Sequence, residues 1–259
     1  MNQSKGLTDY REDLAAALMF LSRIPIPWQR ISQGEPIIER SYWAFPIVGL
    51  LLGLLLGLCA ALLFFLGIDD LLVCAVLVLL LAVLTGGLHE DGLADMVDGF
   101  WGAFNKARRI EIMRDSRIGS YGVLALIFSV FIRILALFTL SAHGGTALIA
   151  GLICALVGSR LAIVLLYYIA PNASEQGLAA TIAKPSQSQA QAAALLTLVV
   201  LLILAPFSIA FVSSLVIVGA VAFMAFLSKR YIGGVTGDVL GACEQLTQCL
   251  LLIALSSYW

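Results

Sequence analysis

The sequence predicts an all-α protein, a polytopic transmembrane helix bundle of about seven spans with an interfacial helix at the N-terminus. Three observations predict it. Of 259 residues, 61% are hydrophobic and only 12% are charged, against roughly 25% charged in ordinary soluble domains. The mean hydropathy is +1.01; a water-soluble fold cannot hide that much apolar surface, whereas a bilayer accepts it. Apolar runs of about 20 residues, the length that crosses a hydrocarbon core, recur along nearly the whole chain. One integral membrane domain, 1–259, follows, and six to eight spans fit the runs.

The N-terminal segment, 1–45, is expected to be cytoplasmic or interfacial. Leu14, Leu18 and Leu21 fall on one helical face. Eight apolar residues behind Asp9, Arg11, Glu12 and Asp13 cannot span, so an interfacial or partly buried helix over 7–24 is expected, ended by Pro25 and Pro27. No basic region stands alone ahead of the apolar residues, so a cleavable signal peptide is not expected. Spans are expected at 46–66, 71–88, 123–140, 147–169 and 239–255. The run 193–228 is long enough for two, with the break near Pro206 or at Ser213 and Ser214.

Charge orients this bundle. The turns at 67–70 and 141–146, the turn between the fifth and sixth spans, and the C-terminal 256–259 carry no Lys or Arg. The other side holds Lys5, Arg11, Arg23, Arg30, Arg40, Lys106, Arg108, Arg109, Arg114, Arg117, Lys184, Lys229 and Arg230. By the positive-inside rule that side is the cytoplasm, with the N-terminus inside. The net charge of −1 points to no nucleic-acid partner. The five cysteines lie in apolar runs without metal-ligand spacing and read as small buried hydrophobes.

The chemistry is expected in the segment 89–122, a cytoplasmic loop and helix. It begins in TGGLHEDGLADMVDGFWGAF, where Asp91, Asp95 and Asp98 stand at i, i+4 and i+7 and share one helical face. Four of the 16 acidic residues of an acid-poor chain, these three and Glu90, fall within nine positions at the end of a span. Like charges so placed repel unless a proton or a divalent cation intervenes, and an all-carboxylate shell suits a hard ion, magnesium or manganese. The bland alternative is a solvated acidic helix start favoured by the macrodipole. His89 reads equally as a structural hydrogen-bond partner, a ligand or an acid–base group.

The opposite sign follows in ARRIEIMRDSRIGSYG, with Arg108, Arg109, Arg114 and Arg117 around Asp115. Guanidinium forks suit phosphate oxygens, although a basic loop also simply orients spans. Together the two clusters could hold both sides of a phosphoryl group, and positioning plus electrostatics is most of what phosphoryl transfer needs. A third patch, YIGGVTGDVLGACEQ, offers Gly233, Gly234 and Gly237 as an anion-binding loop, or as close helix packing. Asp238 and Glu244 enter the last span, where ionisable groups are rarely idle. Arg133 and Arg160, inside spans, are expected to pair with such acids or to touch substrate.

TGGLHEDGLADMVDG, RRIEIMRDSRIGSYG and GGVTGDVLGA, with FLSRIPIP and FPIVGLLLG nearer the start, resemble the cobalamin synthase (adenosylcobinamide-GDP ribazoletransferase) family in the same order over nearly the whole chain. The resemblance implies a bacterial inner-membrane, magnesium-dependent enzyme that joins adenosylcobinamide-GDP to α-ribazole or its 5′-phosphate and releases GMP. Carried onto this sequence, Asp91, Asp95 and Asp98 would hold one or two magnesium ions. One of them, or Glu90, would take the ribazole 5′-hydroxyl proton. Arg109, Arg114 or Arg117 would neutralise the leaving GMP, and Asp238 with Glu244 would complete the site or bind the corrinoid side. The related enzymes that transfer from CDP-activated alcohols carry a DGxxAR signature; here Asp91 and Gly92 lead to Leu93, Ala94 and Asp95 with no Arg, so that metal geometry does not carry over.

Competing readings are a phosphotransferase of that CDP-alcohol type acting on another alcohol, a solute transporter, and a non-catalytic scaffold. A transporter is expected to show repeated halves and polar groups at the midplane; no internal repeat stands out. The sequence leaves the choice between monomer and homo-oligomer open.

Overall fold

The computed structural model describes residues 7–175 and 177–259; Lys5, one of the basic residues counted above, lies outside them. Eleven helices are described. They are α1 (Leu7–Leu21), α2 (Phe45–Phe65), α3 (Asp70–Thr85), α4 (Leu88–Gly102), α5 (Lys106–Met113), α6 (Ser120–Ser141), α7 (Gly145–Ile169), α8 (Leu178–Thr181), α9 (Gln187–Leu204), α10 (Phe207–Ile232) and α11 (Gly237–Tyr258). The all-α, multi-pass architecture is as expected. Six helices (α2, α6, α7, α9, α10 and α11) are long and apolar enough to cross a membrane, and the bent pair α3–α4 would make a seventh.

α7 is the axis of the bundle: almost every residue from 151 to 167 is buried. α2 reaches it through a stripe of glycines four apart. A Cβ at Gly49 would run into the Leu156 carbonyl, and one at Gly53 or Gly57 would stand 2.8 Å from the side chain of Ile153 or Ile149. In lipid no hydrophobic force drives helices together, so such small-residue stripes supply the close van der Waals contact that does. α6, α9, α10 and α11 also pack on α7, while long rows of Leu, Ile, Val and Phe on α2, α6, α9 and α10 stay exposed. That outer surface is suited to hydrocarbon.

The break in the 193–228 run falls at Pro206, which caps α10 directly after α9 ends at Leu204. The expected span at 71–88 is interrupted instead. α3 ends at Thr85, Gly86 and Gly87 both take left-handed backbone (φ 68° and 70°), and α4 leaves at 89° to α3. Only glycine adopts two such residues in succession without strain. A side chain at Gly86 would also collide with Arg23, whose backbone N–H donates to the Leu84 carbonyl at 2.6 Å.

α1 forms as expected and packs on α2. Its buried Asp13 receives Arg40 at 3.2 Å and the Trp43 indole N–H at 3.0 Å, while Arg40 also pairs with Asp9 at 2.9 Å. These bonds fix α1 against the 3-10 turns at 38–44. Phe64 lies against Gly145, so α2 ends where α7 begins. At the opposite, basic face, four ties join distant parts of the chain. Asp98 binds the start of α6; the Tyr42 hydroxyl donates to the Ala183 carbonyl (2.8 Å); Arg109 donates to the Tyr231 carbonyl (3.1 Å); and a β-bridge links Asn172 to Val235. All three chemistry-bearing segments meet there.

Candidate active site

α4 starts inside the bundle and runs outward toward the basic face, between α6 and α11. Its first turn meets a buried layer of charge. Arg133 of α6 pairs with Glu90 at 3.0 Å; Arg160 of α7 pairs with Glu244 of α11. Ser159 donates to Glu244 at 2.7 Å, and the Gln245 amide donates to both glutamates, at 3.2 and 3.1 Å. At 1.5 Å of rise per residue, Glu244 stands about 10 Å from the start of α11 and Arg160 about 13 Å from the end of α7. The two glutamates neutralise the two arginines, which is the condition for keeping such groups in a dry interior. His89 belongs to this layer. It is 2% exposed, its Nδ1 is 3.7 Å from Glu244, and its Nε2 has no hydrogen-bond partner among the described residues.

Outward of that layer lies a cavity of about 340 Å³. Its interior is apolar and aromatic, contributed by α1 (Phe20, Leu21), the 3-10 turn before α2 (Tyr42), the start of α2 (Phe45), α5 (Met113), α7 (Ile163, Tyr167) and the loop around α8 (Ile182). His89 and Gly92 of α4 and Gly241 of α11 also line it. At its rim stand Asp91, Arg114, Ser174, Thr236 and Asp238. α4 and α11 approach closely here: a Cβ at Gly92 would be 2.9 Å from the Asp238 carbonyl oxygen. Thr236 caps α11, accepting from the Val239 N–H at 3.4 Å while its hydroxyl donates to Asp238 at 3.2 Å. Asp95, half-buried one turn beyond Asp91, feels the charges of Asp91, Asp238 and Asp98. Arg114 crosses the rim to donate to Ser174 at 2.9 Å.

The sequence-predicted residues divide sharply. Asp91, Asp238, Arg114 and His89 come together around the cavity, with Asp95 outside its lining but within reach of the charges of Asp91 and Asp238. Asp98 does not join them as a ligand. Buried, it accepts the Gly119 N–H at 2.6 Å and the Gly122 N–H at 2.9 Å, one to each oxygen, and so caps the start of α6. Glu90 and Glu244 are engaged by Arg133 and Arg160 rather than turned to a substrate. Arg109 is a strut: it donates to the Ala103 and Tyr231 carbonyls, and its guanidinium stacks 4.3 Å over the Tyr231 ring. Arg117 points away and pairs with Asp115 at 2.6 Å; its side-chain and backbone bonds hold the Asp115 carboxyl down at about 2. Gly233 and Gly234 each meet a demand of the backbone. Gly233 ends α10 in left-handed backbone. Gly234 lets the chain after α7 pass, because a Cβ there would strike the Pro171 carbonyl.

The expectation of one cation shared by Asp91, Asp95 and Asp98 is therefore revised. Among the described residues, no three His, Cys, Asp or Glu side chains are close enough to share an ion. The rim nevertheless fits magnesium in its usual form, which takes one or two carboxylates and fills the remaining positions with water and substrate phosphate. Asp91 and Asp238, with Asp95 behind them, are that kind of donor set. The sequence reading missed the cavity wall, above all Tyr42, Phe45, Tyr167 and α1. The available signal was the aromatic clustering at span ends on the basic side, in YWAFP and LLYYI.

A protein-family model described as cobalamin-5-phosphate synthase matches residues 13–256. This chain belongs to that family. The family's curated members include an adenosylcobinamide-GDP ribazoletransferase of Azorhizobium caulinodans, 40% identical over 258 residues that cover 95% of this chain and 96% of the relative. The enzyme of the same name from Citrobacter koseri is 41% identical, covering 93% and 97% of the two chains. One from a Sinorhizobium species is 37% identical, covering 96% and 97%. No solved structure matches the chain. The family match spans every rim residue named above.

Proposed function

We propose that this chain is a transferase that joins adenosylcobinamide-GDP to α-ribazole or its 5′-phosphate, with release of GMP, at the cytoplasmic face of the bacterial inner membrane. The observation that carries the reading is the near-full-length similarity to relatives of that name, supported by carboxylates set at the rim of a nucleoside-sized cavity. The clustering of lysines and arginines on the cavity side supports the orientation.

In the reaction a ribose hydroxyl oxygen bonds to the phosphorus that carries the corrinoid, the bond from that phosphorus to the GMP oxygen breaks, and the hydroxyl proton passes to a base. The family description names a product that keeps a 5-phosphate. The attacking hydroxyl is then another ribose hydroxyl, which revises the 5′-hydroxyl expected from the sequence. Asp91 and Asp238 would hold magnesium, which when bound neutralises charge on the pyrophosphate oxygens. Asp95 stands beside them as the proton acceptor. Arg114, already at the rim, steadies the leaving phosphate as a charge-assisted donor.

Turnover of the purified chain tests this. GMP should appear in step with the coupled corrinoid product and only with divalent cation present. Release of CMP from a CDP-activated lipid, with no GMP from the corrinoid nucleotide, would replace this reading by the CDP-alcohol one.

A further inference from the structure

We propose that the apolar interior of the cavity seats the base of the acceptor nucleoside, a dimethylated benzimidazole, and so selects the acceptor. This rests on the transferase reading above. The bond-forming atoms must lie at the rim, where Asp91 and Asp238 stand with Asp95 behind them, so whichever organic group enters the cavity hangs inward from the phosphate. Three groups compete: the corrin, the guanine and the benzimidazole.

Volume removes the first. About 340 Å³ is near the lower end of the roughly 300–1,000 Å³ of small-molecule pockets. It accommodates a bicyclic base, and a corrin ring with its amide arms must stay outside.

Polarity removes the second. Guanine carries N–H donors and ring acceptors along one edge, and burying them without partners is costly. Among the described residues lining the cavity there is no Asn or Gln, the carboxylates are confined to the rim, and the buried side-chain polar atom left without a partner is His89 Nε2, which can answer one ring nitrogen but not the row of donors and acceptors on guanine. The two phenols inside are committed: Tyr42 donates to the Ala183 carbonyl at 2.8 Å, and Tyr167 shares its one hydroxyl proton between the Ala179 and Ile182 carbonyls at 2.7 and 2.6 Å. They therefore present ring carbon, not hydroxyl, to an occupant. The same bonds hold the α8 loop closed over the cavity before any ligand arrives, so the wall is preformed.

The third group matches what remains. A dimethylbenzimidazole is apolar apart from one ring nitrogen, and Leu21, Phe45, Ile163 and Ile182 offer its methyl-bearing edge a dry contact. In such a pocket the fit of a methyl group changes selectivity by about tenfold or more.

The test uses the full chain in detergent and two variants that reduce the interior from two different segments, Ile163→Phe on α7 and Ile182→Trp on the α8 loop. KM is measured by GMP release for adenosylcobinamide-GDP and for two acceptors, the ribosides of dimethylbenzimidazole and of unmethylated benzimidazole. The expected result is a rise of about tenfold or more in KM for the dimethylated riboside, a smaller rise for the unmethylated one, and an unchanged KM for the corrinoid nucleotide. A rise for the corrinoid nucleotide instead, or no acceptor shift in variants that turn over, overturns this inference alone. No GMP release by the wild type with either acceptor overturns the transferase reading as well. Ile182→Trp lies on a surface loop and keeps the test decisive if Ile163→Phe does not fold.

Discussion

Asp91 and Glu244 are both acids of the predicted cluster, and their surroundings give them opposite consequences. Asp91 is exposed at the rim with no cation of the chain bound to it in the hydrogen bonds and ion pairs described. Asp91→Asn is expected to leave the melting temperature unchanged and to lower turnover by about 100-fold or more, the cost of removing one electrostatic contact to a transition state. Glu244 is wholly buried against Arg160 and Ser159. Glu244→Ala strands a buried guanidinium, and a loss of about 3–5 kcal/mol of stability is expected, read as a lower melting temperature of the detergent-solubilised protein. Equal melting temperatures for the two variants would contradict this division. Residue type alone could not have made it. Asp98 shares a helical face with Asp91 by spacing, as the sequence arithmetic says, but two turns along the axis that face meets the start of α6 instead of the cavity. Periodicity gives angle and rise; the neighbour at each height belongs to the tertiary fold.

The hinge between α3 and α4 sets where every rim residue of α4 points. A Cβ at Gly86 forces an unfavourable left-handed conformation, about 1–2 kcal/mol for a residue other than glycine, and meets the Arg23 side chain. Gly86→Ala is therefore expected to lower both stability and kcat, and shortening Arg23 to Ala in the same chain should recover part of the loss. No recovery would show that the collision is not what matters. Spans, the N-terminal helix and the Pro206 break were legible because each depends on local composition: run length, a proline, a charged first turn. The 89° bend was not. Two glycines at the end of an apolar run mark a span's end equally well, and only the packing of the 22–24 segment on Leu84 and Gly86 turns them into a corner. The basic stretch 106–117 was legible as charge but not as structure. Its arginines split between a strut, a rim contact and a surface pair because Arg109 sits on α5 against α10, Arg114 at the end of α5 beside the cavity, and Arg117 in the exposed turn before α6.

The arrangement of the bundle brings together segments far apart in sequence. α4, α5, the loop after α7 and the start of α11 converge on the face that carries the lysines and arginines, while the opposite face has only short turns. By the positive-inside rule the cavity mouth is expected to open to the cytoplasm. Single cysteines introduced into a cysteine-free background at Ser116 and at Ser257 test this with a membrane-impermeant thiol reagent. Ser116→Cys is expected to be labelled only in inside-out vesicles and Ser257→Cys only in intact, outer-membrane-permeabilised cells; the reverse pattern would invert the topology. The buried pairs Glu90–Arg133 and Glu244–Arg160 then serve as mid-bundle clamps rather than as a solute path, since each charge is already met by a partner.

Manganese binding, followed by electron paramagnetic resonance on the purified chain, asks whether the rim acids hold a divalent ion. The wild type should bind manganese, Asp91→Asn and Asp238→Asn should lose it while remaining folded, and the folded fraction of Asp98→Asn should keep it. Undiminished binding in both rim variants, or loss confined to a folded Asp98→Asn, would contradict the site described here.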